Sequence, residues 1–426
     1  MDAPPRHAYR PPVAPRGTPR GASSGPSSGP QRRRYSRYVY WRRRAIVTLA
    51  VVTVLFFSYM GISLGFALNN PSYGVTWMAR VAEWGRQHGI GAEVTWAETE
   101  YYRLNPATTG GKPPLSQFGS GVTAIRLPPG QHLPPPKRMS TPALHPLPGE
   151  GVWHVVGRET ANGTPTMYEA FVRPDAIHTS YVVGVVWMDP TLLQAQLYSG
   201  STIPGGGPFR YSAPISPSAS KNLVAAFNAG FRMSDANGGY YTQGKTIIPL
   251  RQGAASAVVF KDGTMSVGMW GRDFKMNNQI ASVRQNLDLI VDHGRPVAGL
   301  TNANLLKWGL TLGGAFNVFR SGLGVTKTGA LVYVGGPALS ISDLANLLVR
   351  AGAVRAMELD INTDWVQFSS FRGPLNTVIG PNNGTSLVNS MVGSPGRYFA
   401  NWWTRDFYTM SLRPQYTTLA KTKGKG

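Results

Sequence analysis

Acidic side chains are scarce over residues 151–426 of this 426-residue chain, 14 against 24 Lys and Arg, yet three fall within seven positions: Glu358, Asp360 and Asp364. The apolar run Val354-Arg355-Ala356-Met357 leads into them and reads as a strand. Residues i and i+2 of a strand share a face, about 6–7 Å apart. Glu358 and Asp360 would therefore project together, a spacing that suits general acid, base or nucleophilic work on a glycosidic bond. The alternative is a polar strand end that closes on an Asx turn. Asp360, Asn362 and Asp364 also stand at the first three ligand spacings of a calcium loop. Trp365 replaces the glycine that such a loop needs and Phe371 its final glutamate, so a divalent cation stays only an open alternative and no cofactor is expected.

Four other places could supply binding groups. Leu223 to Phe231 is an apolar strand interrupted by Asn228 and Gly230. A buried asparagine needs hydrogen-bond partners, and a glycine lets backbone or ligand come close. Gly238-Gly239-Tyr240-Tyr241 sets Tyr241 beside a flexible pair, where an aromatic ring could face a sugar or simply pack. Arg320 precedes the glycine-rich run Ser321-Gly322-Leu323-Gly324 and could hold a phosphate or carboxylate. His293, in the turn Asp292-His293-Gly294-Arg295, is the remaining titratable candidate, with a solvated loop residue as the plain alternative.

These groups need a scaffold, and strand signals dominate residues 151–426. Thr166–Val172 and Ser180–Met188 are apolar and β-branched. Hairpins are expected around Asp262-Gly263, around His293-Gly294 and between Gly324 and Val334. Ser340 or Ser342 caps a helix ending at Arg350, with Leu344, Leu347 and Leu348 as its buried stripe and Gly352 as its stop. A second helix is expected over Ser386–Met391. Together these predict an α+β domain of largely antiparallel sheets with a few helices.

The N-terminal part reads differently. Residues 1–44 carry eleven arginines and one acid, with little apolar surface, and read as a disordered basic tail. Residues 45–68 contain no charge and are long enough for one transmembrane helix. The arginines place the tail in the cytoplasm and residues 151–426 outside, in a single-pass cell-membrane topology, with anionic lipid as the tail's partner. Residues 69–150 read as juxtamembrane helices over 77–87 and 93–104, then a spacer with eleven prolines from 105 to 149. The formal charge of +22 thus splits into a topology signal near the N-terminus and +10 on residues 151–426. No nucleic-acid partner is expected. With no cysteine, disulfide scaffolds, zinc-thiolate sites and thiol nucleophiles are excluded.

Taken in order, these segments resemble the phosphodiester glycosidase domain family over about residues 220–370. The strand end Asn228-Ala229-Gly230-Phe231, Arg320 before Gly324-Val325-Thr326, Leu344-Ala345 in the helix and Asp360 at a strand end carry the resemblance. Where the family commonly has Asn-Leu-Asp-Gly-Gly-Gly-Ser, this chain has Glu358-Leu359-Asp360-Ile361-Asn362-Thr363-Asp364, so the glycine loop is gone. Met357 to Asn362, Val283 to Leu287 and Arg405-Asp406-Phe407 resemble membrane-anchored actinobacterial members. The resemblance implies hydrolysis of a sugar-1-phosphodiester or related bond in a cell-envelope glycan. Asp360 and Glu358 would then be catalytic, with Asn228, Gly230, Arg320, Asn362, Tyr241 and His293 around the substrate. The alternative is a non-catalytic module that binds an anionic wall polysaccharide.

Overall fold

The computed structural model describes residues 36–119, 132–300, 308 and 317–419. It separates into two units, 1–61 and 62–426. The tail expected over 1–44 lies outside the described residues apart from 36–44. Helix α1 (Arg37–Asn69) takes in the whole uncharged run and is long and apolar enough to cross a membrane. It starts earlier than that run because the arginines before it are good helix formers. It ends where Asn70 precedes Pro71, since a residue before proline is pushed out of helical geometry.

In the second unit, α2 (Trp77–Gln87) and α3 (Gly91–Leu104) form where helices were expected. Thr76 caps α2, its hydroxyl accepting the Ala79 N–H at 3.2 Å. The described parts of the proline-rich stretch do not stand away from the domain as a spacer. Phe118 and Met139 are buried. Met139 N–H donates to the Gly151 carbonyl at 2.9 Å, and the Trp153 indole donates to the Lys137 carbonyl at 2.8 Å. Proline removes donors from this stretch, but its other N–H groups and apolar side chains still find partners on the domain.

Among the described residues three sheets follow, and every ladder between their strands is antiparallel. The first has eight strands. In spatial order they are β1 (His154–Glu159), β2 (Pro165–Val172), β3 (Val183–Met188), β14 (Leu331–Leu339), β13 (Val318–Thr326), β15 (Ala353–Glu358), β11 (Leu289–Asp292) and β12 (Arg295–Pro296). The second runs β7 (Lys245–Ile248), β6 (Tyr240–Thr242), β10 (Ile280–Gln285), β8 (Ala255–Phe260), β9 (Met265–Met269). The third runs β17 (Gly384–Ser386), β16 (Phe368–Phe371), β5 (Leu223–Asn228), β18 (Phe407–Leu412), β4 (Leu193–Tyr198). A short α4 (Pro217–Ser220) precedes β5.

The main core draws from all three sheets. Val186, Tyr333 and Met357 come from the first, Tyr240 and Val259 from the second, and Phe227, Phe368 and Tyr408 from the third. The adjacent Val185, Val332 and Ala356 point the other way, into a second core under α5 (Ile341–Arg350). Period-two alternation with both faces buried explains why these strands read as unbroken apolar runs. Helix α5 lies close to β13 because Gly322 has no side chain. A Cβ there would come within 2.9 Å of Leu348 and 3.0 Å of the Met357 carbonyl.

Ser340 caps α5 by accepting the Asp343 N–H at 3.0 Å, and Asp343 returns a bond to the Ser340 N–H at 3.1 Å. Ser340→Ala is expected to cost about 1 kcal/mol, read as a lower urea midpoint, while Ser340→Thr keeps both the acceptor and the hydroxyl donated to Asp343, and most of the stability.

The helix expected over Ser386–Met391 does not form. Leu387 N–H donates to the Phe368 carbonyl at 3.0 Å, extending the β16–β17 pairing. Leu387, Val388 and Met391 enter the main core from turns. The Leu387 donor is committed to the sheet and the three side chains to the core, which overrides a short helical spacing.

Candidate active site

The site is built where β5 and β15 end beside the start of β13. β15 pairs with β13 so that Glu358 lies opposite Gly322. The ladder continues past the strand, with Leu359 N–H on the Ser321 carbonyl and Ser321 N–H on the Asp360 carbonyl, both at 2.8 Å. Asp360 N–H also reaches the Ser321 hydroxyl at 3.2 Å. That hydroxyl accepts from the Asn228 amide at 3.1 Å, and Asn228 Oδ1 accepts from the Tyr333 hydroxyl (3.0 Å) and the Gln367 N–H (3.2 Å). Asn228 is thus a knot that fixes the Asp360 backbone, with its acceptor satisfied inside the core. Gly230 lets a second knot approach: a Cβ there would lie 3.1 Å from the Arg284 guanidinium and from Asn286 Oδ1. Asn286 Oδ1 accepts the Phe231 N–H at 3.2 Å, and its amide donates to the Glu358 carbonyl at 2.8 Å. Arg284 in turn pairs with Asp406 at 2.8 Å, both fully buried.

The structure gives the two expected carboxylates different environments. Glu358 is fully buried, and its Oε1 accepts from Arg320 Nη1 at 2.6 Å while Arg320 Nε donates to the Leu339 carbonyl at 2.8 Å. Arg320 is therefore committed to Glu358, and Glu358 Oε2 is buried without a hydrogen bond to any described residue. Burial pushes the Glu358 carboxyl up to about 7, against the pull of Arg320. Asp360 lies beyond the strand end and is 3% exposed. Its Oδ1 accepts the N–H groups of Ile361 (2.8 Å) and Asn362 (3.1 Å). Burial raises its carboxyl to about 6, while Arg405, these backbone donors and Arg232 pull the other way.

The Asp360–Asp364 run folds as consecutive Asx turns. Asn362 Oδ1 accepts the Asp364 N–H at 2.9 Å. Asp364 accepts the Val75 and Thr76 N–H groups at 2.9 and 2.8 Å and the Thr76 hydroxyl at 3.0 Å. Asp360 Oδ1, Asn362 Oδ1 and both Asp364 carboxylate oxygens thus accept from N–H and O–H donors, and no metal-binding cluster is found among the described residues.

Tyr241 and His293 are not gathered here. Tyr241 packs with Val258, Trp270, Ile280 and Val283 on the second sheet. Its neighbour Tyr240 takes the inward direction, so the strand's alternation turns Tyr241 outward. His293 occupies the exposed β11–β12 turn with a φ of 50°, and its Nε2 lies 3.7 Å from the carboxylate of the adjacent Asp292.

Two further charges that residue spacing did not single out act on Asp360, Arg405 and Arg232, and a third, Glu83, lies beside both of them. The Arg405 guanidinium stacks on the Trp365 ring at 4.2 Å and is buried. Glu83 on α2 approaches both arginines. Tyr102 on α3 packs with Phe231, Leu287 and Ile361. Residues 75–102 thus lie against the loop that carries Asp360. The segments containing Arg284–Asn286 and Arg405-Asp406 were visible only as parts of the family resemblance, and nothing in the α2 sequence pointed to Glu83.

Residues 221–360 match the family model for phosphodiester glycosidase, a segment that includes Asn228, Gly230, Arg320, Glu358 and Asp360. The match supports a glycosidase-like function. Among solved structures, the chain is 13% identical to the catalytic domain of zebrafish N-acetylglucosamine-1-phosphodiester alpha-N-acetylglucosaminidase, auto-inhibited by its pro-peptide. That alignment covers 61% of this chain and 88% of the other, with a TM-score of 0.38. A hypothetical protein from Synechocystis is also 13% identical over 60% of this chain and 63% of the other, with a TM-score of 0.30. No functionally curated protein matches the chain significantly.

Proposed function

We propose that the chain is a membrane-anchored, extracytoplasmic hydrolase that cleaves a sugar-1-phosphodiester or related glycosidic bond in a cell-envelope glycan. The observation that carries this reading is Asp360, a carboxyl raised to about 6 and held by a fixed hydrogen-bond network. It ends the segment that matches the phosphodiester glycosidase family. Such a carboxyl can exchange a proton near neutral pH, or stabilise positive charge at the anomeric carbon. Water supplies the hydroxyl to that carbon, the carbon–oxygen bond to phosphate breaks, and the products are a free sugar and a phosphomonoester. In this reading Glu358 and Arg320 position the strand end and do not touch substrate. Helix α1 anchors the chain, and the arginine excess before it holds the N-terminus inside.

The test is release of reducing sugar from a panel of glycan phosphodiesters by the full-length chain in detergent micelles. Turnover on at least one member is expected. Binding across the panel with no sugar released from any member would overturn the reading. It would favour a non-catalytic module for anionic wall polysaccharide. That second reading draws on the near-complete burial of Asp360 and on Ile361-Asn362-Thr363 standing where the family commonly has glycines.

A further inference from the structure

Glu83 is a carboxylate that the hydrolytic reading does not use, yet it points at the site. Its side chain is 16% exposed, and its Oε2 lies 3.4 Å from Arg232 Nη1 and 4.0 Å from Arg405 Nη2. These two arginines are the cations that act on Asp360. One anionic group therefore rests between the two positive charges beside the candidate reacting carboxyl.

The fit is poor for a carboxylate. Both separations exceed the roughly 2.7–2.9 Å of a charge-assisted hydrogen bond. Arg405 Nη1 is buried with no hydrogen-bond partner among the described residues. Leaving such a donor unmet is costly, and Trp365 keeps its guanidinium from turning away to find one. Arg232 Nη1 and Arg405 Nη2 thus share a single oxygen of Glu83. A phosphate group is larger and brings several acceptor oxygens in the geometry an arginine fork matches.

We propose that Arg232 and Arg405 form an anion subsite for a glycan phosphate, and that Glu83 occupies this subsite when α2 and α3 lie over Asp360. The proposal rests on the hydrolytic reading for what happens next to the subsite, but its own content is binding. The cover is tied to the domain at two points and braced between its own helices. Asp364 holds the Val75 and Thr76 N–H groups, Arg86 pairs with Glu98 to join α2 to α3, and Tyr102 packs on Phe231 and Ile361. A phosphate reaches the arginines only in competition with Glu83, so its apparent affinity falls by the fraction of chains in which the subsite is free.

The test is calorimetric titration of the full-length chain in detergent micelles with inorganic phosphate, a hexose 1-phosphate and a hexuronate. Glu83→Ala is expected to bind both phosphate probes about tenfold more tightly than wild type, with a smaller gain for the hexuronate. Adding Arg405→Gln should remove that gain, while Arg405→Lys, which keeps charge but not the fork, should remove part of it. Should Arg405→Gln melt abnormally, Arg232→Gln on the more exposed arginine carries the same comparison. Unchanged phosphate affinity in Glu83→Ala, or a gain that survives loss of either arginine, overturns the subsite. A hexuronate gain above the phosphate gain overturns its assignment to phosphate. Tighter phosphate binding without hydrolysis of any diester leaves the subsite standing and removes the hydrolytic reading. Hydrolysis unaffected by phosphate and by Glu83→Ala does the reverse.

Discussion

Asp360→Asn is expected to lower turnover of any glycan phosphodiester that the wild-type chain cleaves by about 10²–10⁴-fold, the usual contribution of a positioned acid or base. The substitution keeps the side chain's shape, and its Oδ1 can still accept the Ile361 and Asn362 N–H groups. It removes only the ability to carry charge and exchange a proton. Folding should therefore survive, and its pH dependence gives an independent check. In wild type the folded pKa is raised from 3.8 to about 6. A carboxyl raised on folding contributes stability that is fully present below about pH 4 and lost as pH rises through 6. The asparagine variant lacks this loss, so its melting temperature relative to wild type should rise between pH 4 and 7. Asp262, Asp273 and Asp292, held below the usual range chiefly by hydrogen bonds and arginine neighbours, act in the opposite sense at lower pH but are common to both chains. Wild-type turnover in Asp360→Asn would remove Asp360 from the chemistry. A relative melting temperature independent of pH would mean that its carboxyl is not raised.

What could be read from the sequence was local. The Ser340 cap, the Asp262-Gly263 turn and the apolar strands were legible because each is set by residues close in the chain. The resemblance over 220–370 also located the segment that matches the family. Electrostatic roles were not legible, because residue type does not reveal a partner. Arg320 and Glu358 each look like a free functional charge until β13 and β15 pair and set them 2.6 Å apart. Arg405 and Glu83 are unremarkable in one dimension. Only the packing of α2 and of the loop before β18 brings Glu83 to Arg405, which acts on Asp360. His293 had chemistry-bearing neighbours in sequence, but Arg272 takes Asp292 and the turn faces solvent.

Arg320→Ala is expected to be the most destabilising single change at the site, by about 3–5 kcal/mol, because it leaves a buried charge without its partner. Glu358 Oε2 already lacks a hydrogen bond, and losing Arg320 orphans Oε1 as well. Burial has already pushed this carboxyl to about 7, and without the arginine it must rise further. The sign follows from linkage. The variant's folded state prefers a protonated Glu358, so its deficit is smallest at acid pH and grows as pH rises past the unfolded value. Urea midpoints at pH 5 and pH 8 should show the larger loss at pH 8. A paired Arg320→Met, Glu358→Leu chain removes both charges and should recover most of the stability, as replacing a buried ion pair by apolar residues is often neutral. If Glu358 instead faced substrate through an accessible oxygen, water would solvate it in Arg320→Ala. The pH 5 and pH 8 losses would then be equal and small, and Glu358 would return to the list of reacting groups.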